Sequence, residues 1–305
     1  MIAFLFPGQG SQAAGMGKDL ASDFKVARDV FEEANDALGF DLAALCFNGP
    51  DEDLQLTENT QPAILTHSVA ALRVLQEVSD LRPDYAAGHS LGEYSALVCS
   101  GALQFADAVK IVRQRGRFMQ QAVPVGQGAM AAIIGLDAES LAQVCRQAAD
   151  GDVVSPANYN SPGQVVIAGH AEAVARATDL AKAGGAKRAM SLPVSAPFHC
   201  SLMQPAADQL ARVLEPIQVG ELNVPVVSNV EALPNRESER VKDLLVRQVC
   251  APVRWEESVT RMVESGVDHF IEIGPGKVLS GLVKRMARGS RIQNLAVAAD
   301  IEKLN

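Results

Sequence analysis

The sequence predicts an α/β protein in which a domain built on a parallel sheet is interrupted by a smaller domain. Short apolar runs alternate with amphipathic helical segments from the N-terminus to about residue 122. A strand, the motif Gly88-His89-Ser90-Leu91-Gly92 and a helix follow one another directly, an order typical of α/β-hydrolase folds. Between about residues 125 and 195 the order strand, helix, strand, strand, helix, strand is ferredoxin-like. We therefore expect an α/β-hydrolase-like parallel-sheet domain over 1–124 and 197–305, and a ferredoxin-like small domain over 125–196.

The composition limits the classes of partner. The chain has 305 residues, of which 48% are hydrophobic and 21% charged, as is ordinary for a globular protein. Its net charge of −9 argues against nucleic acid as a partner, and an acidic protein partner would need a local basic patch. The first seven residues form an apolar run without a basic leader, too short for a signal peptide or a membrane span. We expect neither nucleic acid nor a membrane as a partner.

The cysteines are odd in number and scattered along the chain, which favours neither a disulfide framework nor a zinc site. They are Cys46, Cys99, Cys145, Cys200 and Cys250. We expect a protein that works in a reducing cytoplasm and binds no metal.

Hydrophobic patterning predicts the remaining elements. Before the central motif we expect a strand over 1–7, one helix over about 19–38, a polar loop over 48–62, and a helix that starts at Pro62 and runs to about Val78. Next come a helix over 105–122, strands over 129–134, 153–159, 164–168 and 187–193, and helices over 138–149 and 171–183. The chain then continues with a helix from about Ser201, strands over 224–228 and, last, 268–273, and helices over 241–250 and 255–265.

Two glycine-rich stretches resemble nucleotide-binding motifs. Gly8-Gln9-Gly10-Ser11-Gln12-Ala13 follows the first strand and matches a dinucleotide fingerprint. That fingerprint needs a helix at once and then a second strand ending in an acidic residue, but glycines continue to Gly17 and no clear second strand follows. We therefore interpret the stretch as a loop whose backbone amides face a site at the sheet edge. Gly274-Pro275-Gly276-Lys277 lacks the spacing of a phosphate loop and is interpreted as a turn.

Ser90 occupies the position of a nucleophile in the central motif. The flanking glycines allow a sharp turn that lifts the serine hydroxyl clear of the sheet edge. The amide of Leu91, at the start of the helix, would face an oxyanion formed on the electrophile of the serine. A glycine-flanked turn with a capping serine is the alternative.

Arg115 falls on the apolar stripe of the 105–122 helix. A guanidinium on a buried face needs an anionic partner or a polar cavity. Two interpretations remain open: a structural salt bridge, and a fork that binds a substrate carboxylate through two hydrogen bonds.

His199 is the best candidate for the base that a serine nucleophile requires, because it lies on a loop where the chain returns from the small domain. The other candidates, His67, His170 and His269, are less well placed. An imidazole with its ordinary pKa of about 6.5 would limit the rate in acid. Four aspartates lie between the serine and the histidine in the chain, and none is clearly placed to orient the histidine: Asp107, Asp137, Asp152 and Asp179.

Five separated motifs occur in the order found in the malonyl-CoA:acyl carrier protein transacylases of fatty-acid synthesis, which the chain resembles over essentially its whole length. They are Gly8-Gln9-Gly10-Ser11-Gln12, Gly88-His89-Ser90-Leu91-Gly92-Glu93, Arg115, Phe198-His199 and Gln248. The resemblance implies ping-pong transfer of malonyl from malonyl-CoA to the phosphopantetheine thiol of acyl carrier protein. It implies no cofactor, and a monomer is the family expectation.

The resemblance also assigns roles to residues. Ser90 corresponds to the nucleophile and His199 to the general base. Arg115 corresponds to the arginine that holds the malonyl carboxylate. Gln9 and Leu91 correspond to the pair whose backbone amides form the oxyanion hole.

Two further residues follow from the same resemblance. Gln248 corresponds to the residue whose main-chain carbonyl orients the histidine. Phe198 precedes the histidine, as in malonyl-selective relatives of the multidomain synthases. It is a softer marker of specificity, because serine also occurs there in the free-standing enzymes.

Three alternatives share part of this set. A serine thioesterase or hydrolase would use Ser90 and His199 but gives no reason for Arg115. A non-catalytic module that docks a carrier protein would not need the three residues together. A sister transacylase of malonate decarboxylation or polyketide synthesis would have the same chemistry, and the sequence does not separate it.

The carrier protein is typically acidic in this family, so local basic clusters must dock it. One candidate cluster lies on the small domain and one near the C-terminus: Lys182, Lys187 and Arg188, and Lys277, Lys284, Arg285 and Arg288. An ordinary solvated face is the alternative for each.

Overall fold

A computed structural model describes residues 1–194 and 196–304. Ser195, at the start of the segment that returns from the predicted small domain, and Asn305 lie outside the described residues. The described strands are β1 Ile2–Phe6, β2 Tyr85–Gly88, β3 Gly128–Ile134, β4 Val154–Ser161, β5 Gln164–His170, β6 Arg188–Ser191, β7 Val226–Val227, β8 Pro234–Asn235, β9 Val253–Arg254, β10 His269–Ile273 and β11 Arg291–Leu295.

Helices surround these strands. The first seven α-helices are α1 Lys18–Asp23, α2 Lys25–Leu38, α3 Leu42–Asn48, α4 Asp51–Leu54, α5 Thr57–Val78, α6 Gly92–Ser100 and α7 Phe105–Gln121. The others are α8 Ala138–Ala149, α9 Ala171–Ala183, α10 Gln204–Leu214, α11 Ser238–Cys250, α12 Trp255–Glu264 and α13 Val278–Met286. Short 3₁₀ turns cover Ser201–Met203 and Ala298–Lys303.

The larger sheet is parallel except at one edge. Its strands lie in the order β11-β10-β1-β2-β7-β8, and β8 alone among them runs antiparallel to its neighbour. In β1, Phe4 and Phe6 pack into one apolar core, whereas Ala3 and Leu5 pack into a second core on the opposite face. Such burial on both faces explains why β1 is an unbroken apolar run rather than an alternating one.

The smaller sheet has the order β6-β3-β5-β4-β9. Its first four strands are antiparallel and, with α8 and α9, follow the chain order of the ferredoxin-like pattern. The fifth, β9, pairs parallel with β4 through Asn158 and Val253. The predicted fold class is therefore confirmed, with one strand of the smaller sheet supplied by the chain beyond residue 196. The division into 1–124 with 197–305 and 125–196 stays a prediction.

The predicted polar loop over 48–62 is wrong. Helix α4 lies within it, and α5 begins at Thr57, so that Pro62 is the sixth residue of α5 rather than a residue of its first turn. Thr57, Thr60 and Gln61 are buried, and the Thr60 hydroxyl donates to the Leu54 carbonyl at 2.6 Å. Polar side chains in this stretch are buried and bond to groups within the protein, whereas their polarity alone suggested a loop exposed to solvent.

The predicted helix over 19–38 is two helices, because Phe24 is extended between α1 and α2 with φ −122° and ψ 122°.

Strand β10 is not the last strand. After α13 the chain forms β11 at the edge of the sheet. Its residues are polar and half-exposed, so apolar patterning did not predict it. The strand predicted over 224–228 contains only the two residues of β7.

The glycine-rich stretch after β1 continues as a loop to Lys18, and the next strand along the chain is β2, at residue 85. A dinucleotide fingerprint requires a helix directly after the glycines and a second strand soon after it, and these described residues have neither. Across residues 1–194 and 196–304, each helix is either too short or too polar to cross a lipid bilayer.

Candidate active site

The turn between β2 and α6 brings backbone segments into close contact. A Cβ atom on Gly88 would lie 1.9 Å from the Gly92 carbonyl carbon, and one on Gly92 would lie 2.0 Å from the Phe6 carbonyl oxygen. Ser90, at the top of the turn, has a left-handed φ of 51°, which is uncommon for a side chain other than glycine. Its backbone N–H donates to Asn229 Oδ1 at 2.7 Å, which holds the strained turn in place.

Ser90 and His199 form a hydrogen-bonded pair. Ser90 Oγ lies 2.7 Å from His199 Nε2, and His199 Nδ1 lies 2.9 Å from the Gln248 main-chain oxygen. Because a carbonyl oxygen only accepts, Nδ1 carries the proton and Nε2 is free to accept the proton of Ser90. Such an arrangement can activate a hydroxyl without a carboxylate beside the histidine.

The electrostatic surroundings keep His199 neutral. Burial, and then the charge of Arg115, lower the pKa of His199 to about 3. The ordinary pKa of about 6.5 expected from the sequence is therefore wrong for this environment, because a buried imidazolium would lie beside a cation. In neutral solution His199 is therefore uncharged and its Nε2 can accept a proton.

Arg115 lies at the same point as a buried cation, with 1% of its surface exposed. Its Nη1 donates to Gln61 Oε1 at 2.8 Å, and its Nη2 donates to Gln248 Oε1 at 2.9 Å and to Ser90 Oγ at 3.2 Å. These acceptors are all neutral, and among the described residues the guanidinium forms no ion pair and its Nε–H has no acceptor. Of the two interpretations that the sequence left open, the structural salt bridge is absent from the described part of the chain.

A cavity of about 120 Å³ opens beside these groups and lies between the two sheets. Gln9, Leu91 and Phe198 contribute to its walls. Within residues 1–194 and 196–304, no acceptor bonds the backbone N–H of Gln9 or Leu91. The other lining residues come from both parts of the fold: Gln61, His89, Met119, Met130, Asn158, Leu192 and Val194.

The remaining histidines and aspartates have other partners. His67 Nε2 bonds to the Ala296 carbonyl, His170 accepts the Val153 N–H, and His269 bonds to Gln293. Asp137 caps α8, Asp152 pairs with Arg176, Asp179 pairs with Lys182, and Asp107 lies in the first turn of α7. In the described chain no cluster of three or more His, Cys, Asp or Glu side chains could hold a metal ion.

Two residues of this network were missed in the sequence. Asn229 follows β7, beside β2, at the carboxyl end of a parallel strand, where ligand sites of such sheets gather. That position could have identified it. Gln61 lies in a stretch that was interpreted as a loop, and the sequence carries no signal that a buried arginine would need its side-chain oxygen.

The fold and this serine–histidine pair define a class of proteins. Residues 3–303 match the model of the acyl transferase domain, and the chain belongs to that family. Within it, the chain is 57% identical over 285 residues to the malonyl CoA-acyl carrier protein transacylase of Escherichia coli strain K12, covering 93% of this chain and 92% of that protein.

Solved structures show the same similarity. The malonyl CoA-acyl carrier protein transacylase of Coxiella burnetii has a TM-score of 0.97 and 48% identity, with 99% of this chain and 96% of that chain covered. A malonyl-transacylase in complex with a type II PKS acyl-carrier protein also has a TM-score of 0.97, with 52% identity over 99% of this chain and 98% of that chain.

Proposed function

We propose that the protein transfers a malonyl group from malonyl-CoA to the phosphopantetheine thiol of an acyl carrier protein through an ester formed on Ser90. Arg115 carries this proposal, because it is a buried cation 3.2 Å from Ser90 Oγ with only neutral acceptors among the described residues. The free carboxylate of a malonyl thioester would supply the missing anion and be held by paired N–H groups. The names of the relatives support the same substrate.

In the first half-reaction His199 Nε2 accepts the Ser90 proton as Oγ bonds to the thioester carbonyl carbon. The backbone N–H groups of Gln9 and Leu91 donate to the oxygen that becomes negative. The carbon–sulfur bond then breaks, and the proton on His199 passes to the coenzyme A sulfur. The Gln248 carbonyl stabilises the imidazolium by accepting from Nδ1.

The second half-reaction reverses these roles. His199 takes the proton of the carrier-protein thiol, and the sulfur attacks the ester carbonyl on Ser90. When the ester bond breaks, Ser90 Oγ regains its proton from His199. All proton transfers use Ser90, His199 and the two thiols, so we propose a reaction without a cofactor. We place it in the reducing cytoplasm, with the free cysteines as support.

Mass spectrometry of the protein after mixing with malonyl-CoA tests the acyl-enzyme. We expect one malonyl adduct on a peptide that contains Ser90, and none on a Ser90→Ala variant with an unchanged melting temperature. An adduct of normal stoichiometry on Ser90→Ala would reject the assignment of the nucleophile.

Discharge of the adduct separates transfer from hydrolysis. We expect the malonyl group to leave Ser90 rapidly when a holo acyl carrier protein is added, and slowly in buffer alone. Rapid release as free malonate, with no gain from the carrier protein, would identify a thioesterase instead. We propose the carrier protein of fatty-acid elongation as the acceptor, and comparing it with a polyketide carrier protein in the same assay tests that choice.

A further inference from the structure

Glu93 is a buried carboxyl group that the reaction above does not use. It lies in α6, three residues after Ser90, with 2% of its surface exposed. Its Oε2 accepts from the Asn229 backbone N–H at 2.9 Å and from Gln248 Nε2 at 2.8 Å. Within the described chain it forms no ion pair.

The Gln248 side chain connects Glu93 with Arg115. Its Nε2 donates to Glu93 Oε2 and to the Ser90 carbonyl at 3.0 Å, and its Oε1 accepts from Arg115 Nη2 at 2.9 Å. The two ends of an amide are chemically different, since one only donates and the other only accepts. The acceptor at Glu93, together with the Ser90 carbonyl, therefore fixes the NH₂ group on that side and leaves the oxygen facing the guanidinium.

We propose that Glu93 is a positioning residue for malonyl selectivity: through the Gln248 amide it holds the Arg115 guanidinium against Ser90. This inference rests on the proposed function. If the Gln248 amide could rotate by half a turn, its NH₂ group would face the Arg115 guanidinium, and two donors would be in contact. Arg115 would then lose one of its two side-chain amide acceptors and the orientation needed to receive a carboxylate.

The role requires an acceptor oxygen at this position rather than a negative charge. Burial raises the pKa of Glu93 to about 7, against the opposing effects of Asn229, Gln248 and Arg115. A proton carried on Oε1 leaves Oε2 able to accept from Asn229 and Gln248 in the same way. A glutamine at position 93 can place its single oxygen where Oε2 lies, whereas an aspartate, one methylene shorter, withdraws the oxygen while keeping the charge.

The test compares malonyl and acetyl loading of Ser90 from the two coenzyme A thioesters in the parent, E93Q and E93D. We expect E93D to lower the malonyl-to-acetyl ratio of kcat/KM at least about tenfold, as for loss of a hydrogen bond to a charged group, and E93Q to keep the ratio within about threefold. The matched control is E272D. Glu272 is 1% exposed and accepts the backbone N–H groups of Leu279 and Ser280. It bonds to none of Ser90, Arg115, His199 and Gln248, so E272D should leave the ratio unchanged.

Two results would overturn the inference. Equal losses of malonyl and acetyl loading in E93D, with a lower melting temperature, would reduce Glu93 to a structural group. A lost ratio in E93Q would reject the acceptor role, and this result can be obtained even if E93D does not fold. Failure of the parent to load malonyl would instead count against the proposed function.

Discussion

At the scale of single residues, the environment of Arg115 has a measurable consequence. A buried guanidinium without an ion-pair partner is costly. One that receives a substrate carboxylate recovers that cost only when the substrate binds. Each charge-assisted hydrogen bond contributes about 1.5–3 kcal/mol.

We therefore expect Arg115→Ala to lower malonyl transfer by about a hundredfold or more, the equivalent of about 3 kcal/mol. Acetyl-CoA has no carboxylate, so its transfer should not fall. Arg115→Lys should rescue malonyl transfer only in part, since an ammonium offers a point charge and no fork. Loading of Ser90 from each thioester, measured beside melting curves, gives the comparison. Parallel losses for both substrates with a lower melting temperature would show that Arg115 has only a structural role.

The second prediction at this scale concerns pH. Since the pKa of His199 is lowered to about 3, the histidine remains neutral as pH falls from 7 to about 4. We expect the rate at which a neutral sulfonyl fluoride modifies Ser90 to stay nearly flat over that range. In Arg115→Ala the nearby positive charge is gone, so the pKa of His199 rises and the loss of rate in acid should begin at higher pH. A parent rate that halves near pH 6.5 would contradict the effect of burial.

At the scale of elements, the turn between β2 and α6 depends on glycines that have no room for a side chain. Gly88→Ala would force its Cβ to within 1.9 Å of the Gly92 carbonyl carbon unless the backbone shifts. We expect a loss of about 3 kcal/mol or more in the free energy of unfolding. The matched control is Gly281→Ala in α13, where a Cβ meets nothing within 4 Å and alanine should stabilise by up to about 1 kcal/mol. Chemical denaturation of both variants gives the two values, and similar values would refute the steric argument.

The elements that the sequence predicted best are those whose pattern is strong and local. Helix α7 was predicted to within one residue, and α8 and α9 with the bounds observed. Periodicity could not reveal that Phe24 breaks a helix, because the apolar stripe continues across the break. It also could not reveal β9, whose two residues form a strand only because β4 lies beside them.

The candidate site likewise combines features that local sequence patterns show with features that depend on long-range contacts. The motif around Ser90, the apolar stripe around Arg115 and the return loop around His199 are visible in the sequence, and the structure places the three side chains together. The acceptors of the guanidinium are not visible, since Gln61 and Gln248 lie 54 and 133 residues from Arg115 in the chain. The low pKa of His199 depends first on burial and then on the charge of Arg115, and both arise from tertiary packing that no local pattern encodes.

At the scale of the whole molecule, a net charge of −9 opposes an acidic partner, so docking must use a local field. Of the small-domain cluster, Lys182 pairs with Asp179. Near the C-terminus Lys277, Lys284 and Arg288 line one cavity of about 560 Å³ and form no ion pair among the described residues. We therefore propose the C-terminal cluster as the docking surface, because three of its cations line one cavity and none of the three forms an ion pair among the described residues.

We expect the double variant Lys284→Glu with Arg288→Glu to raise the KM for carrier protein about tenfold at low salt, with a smaller effect as salt increases. Loading of Ser90 from malonyl-CoA should change little. Lys182→Glu serves as the control, because Lys182 already pairs with Asp179. A double variant with an unchanged KM for carrier protein, or with loading impaired equally, would reject this docking surface.

Strand β9 limits where the chain could be cut or grafted. By sequence it follows α11, the helix that carries Gln248, and by hydrogen bonding it extends the smaller sheet beside β4. A chimera that exchanged only residues 125–196 for those of another protein would import β4 without the neighbour it was selected to pair with. The imported β4 would have to pair with the original β9, which lies only a few residues after Gln248, whose carbonyl orients the histidine. Exchanging residues 125–196 for those of a relative therefore requires the segment around Val253 to be exchanged with them.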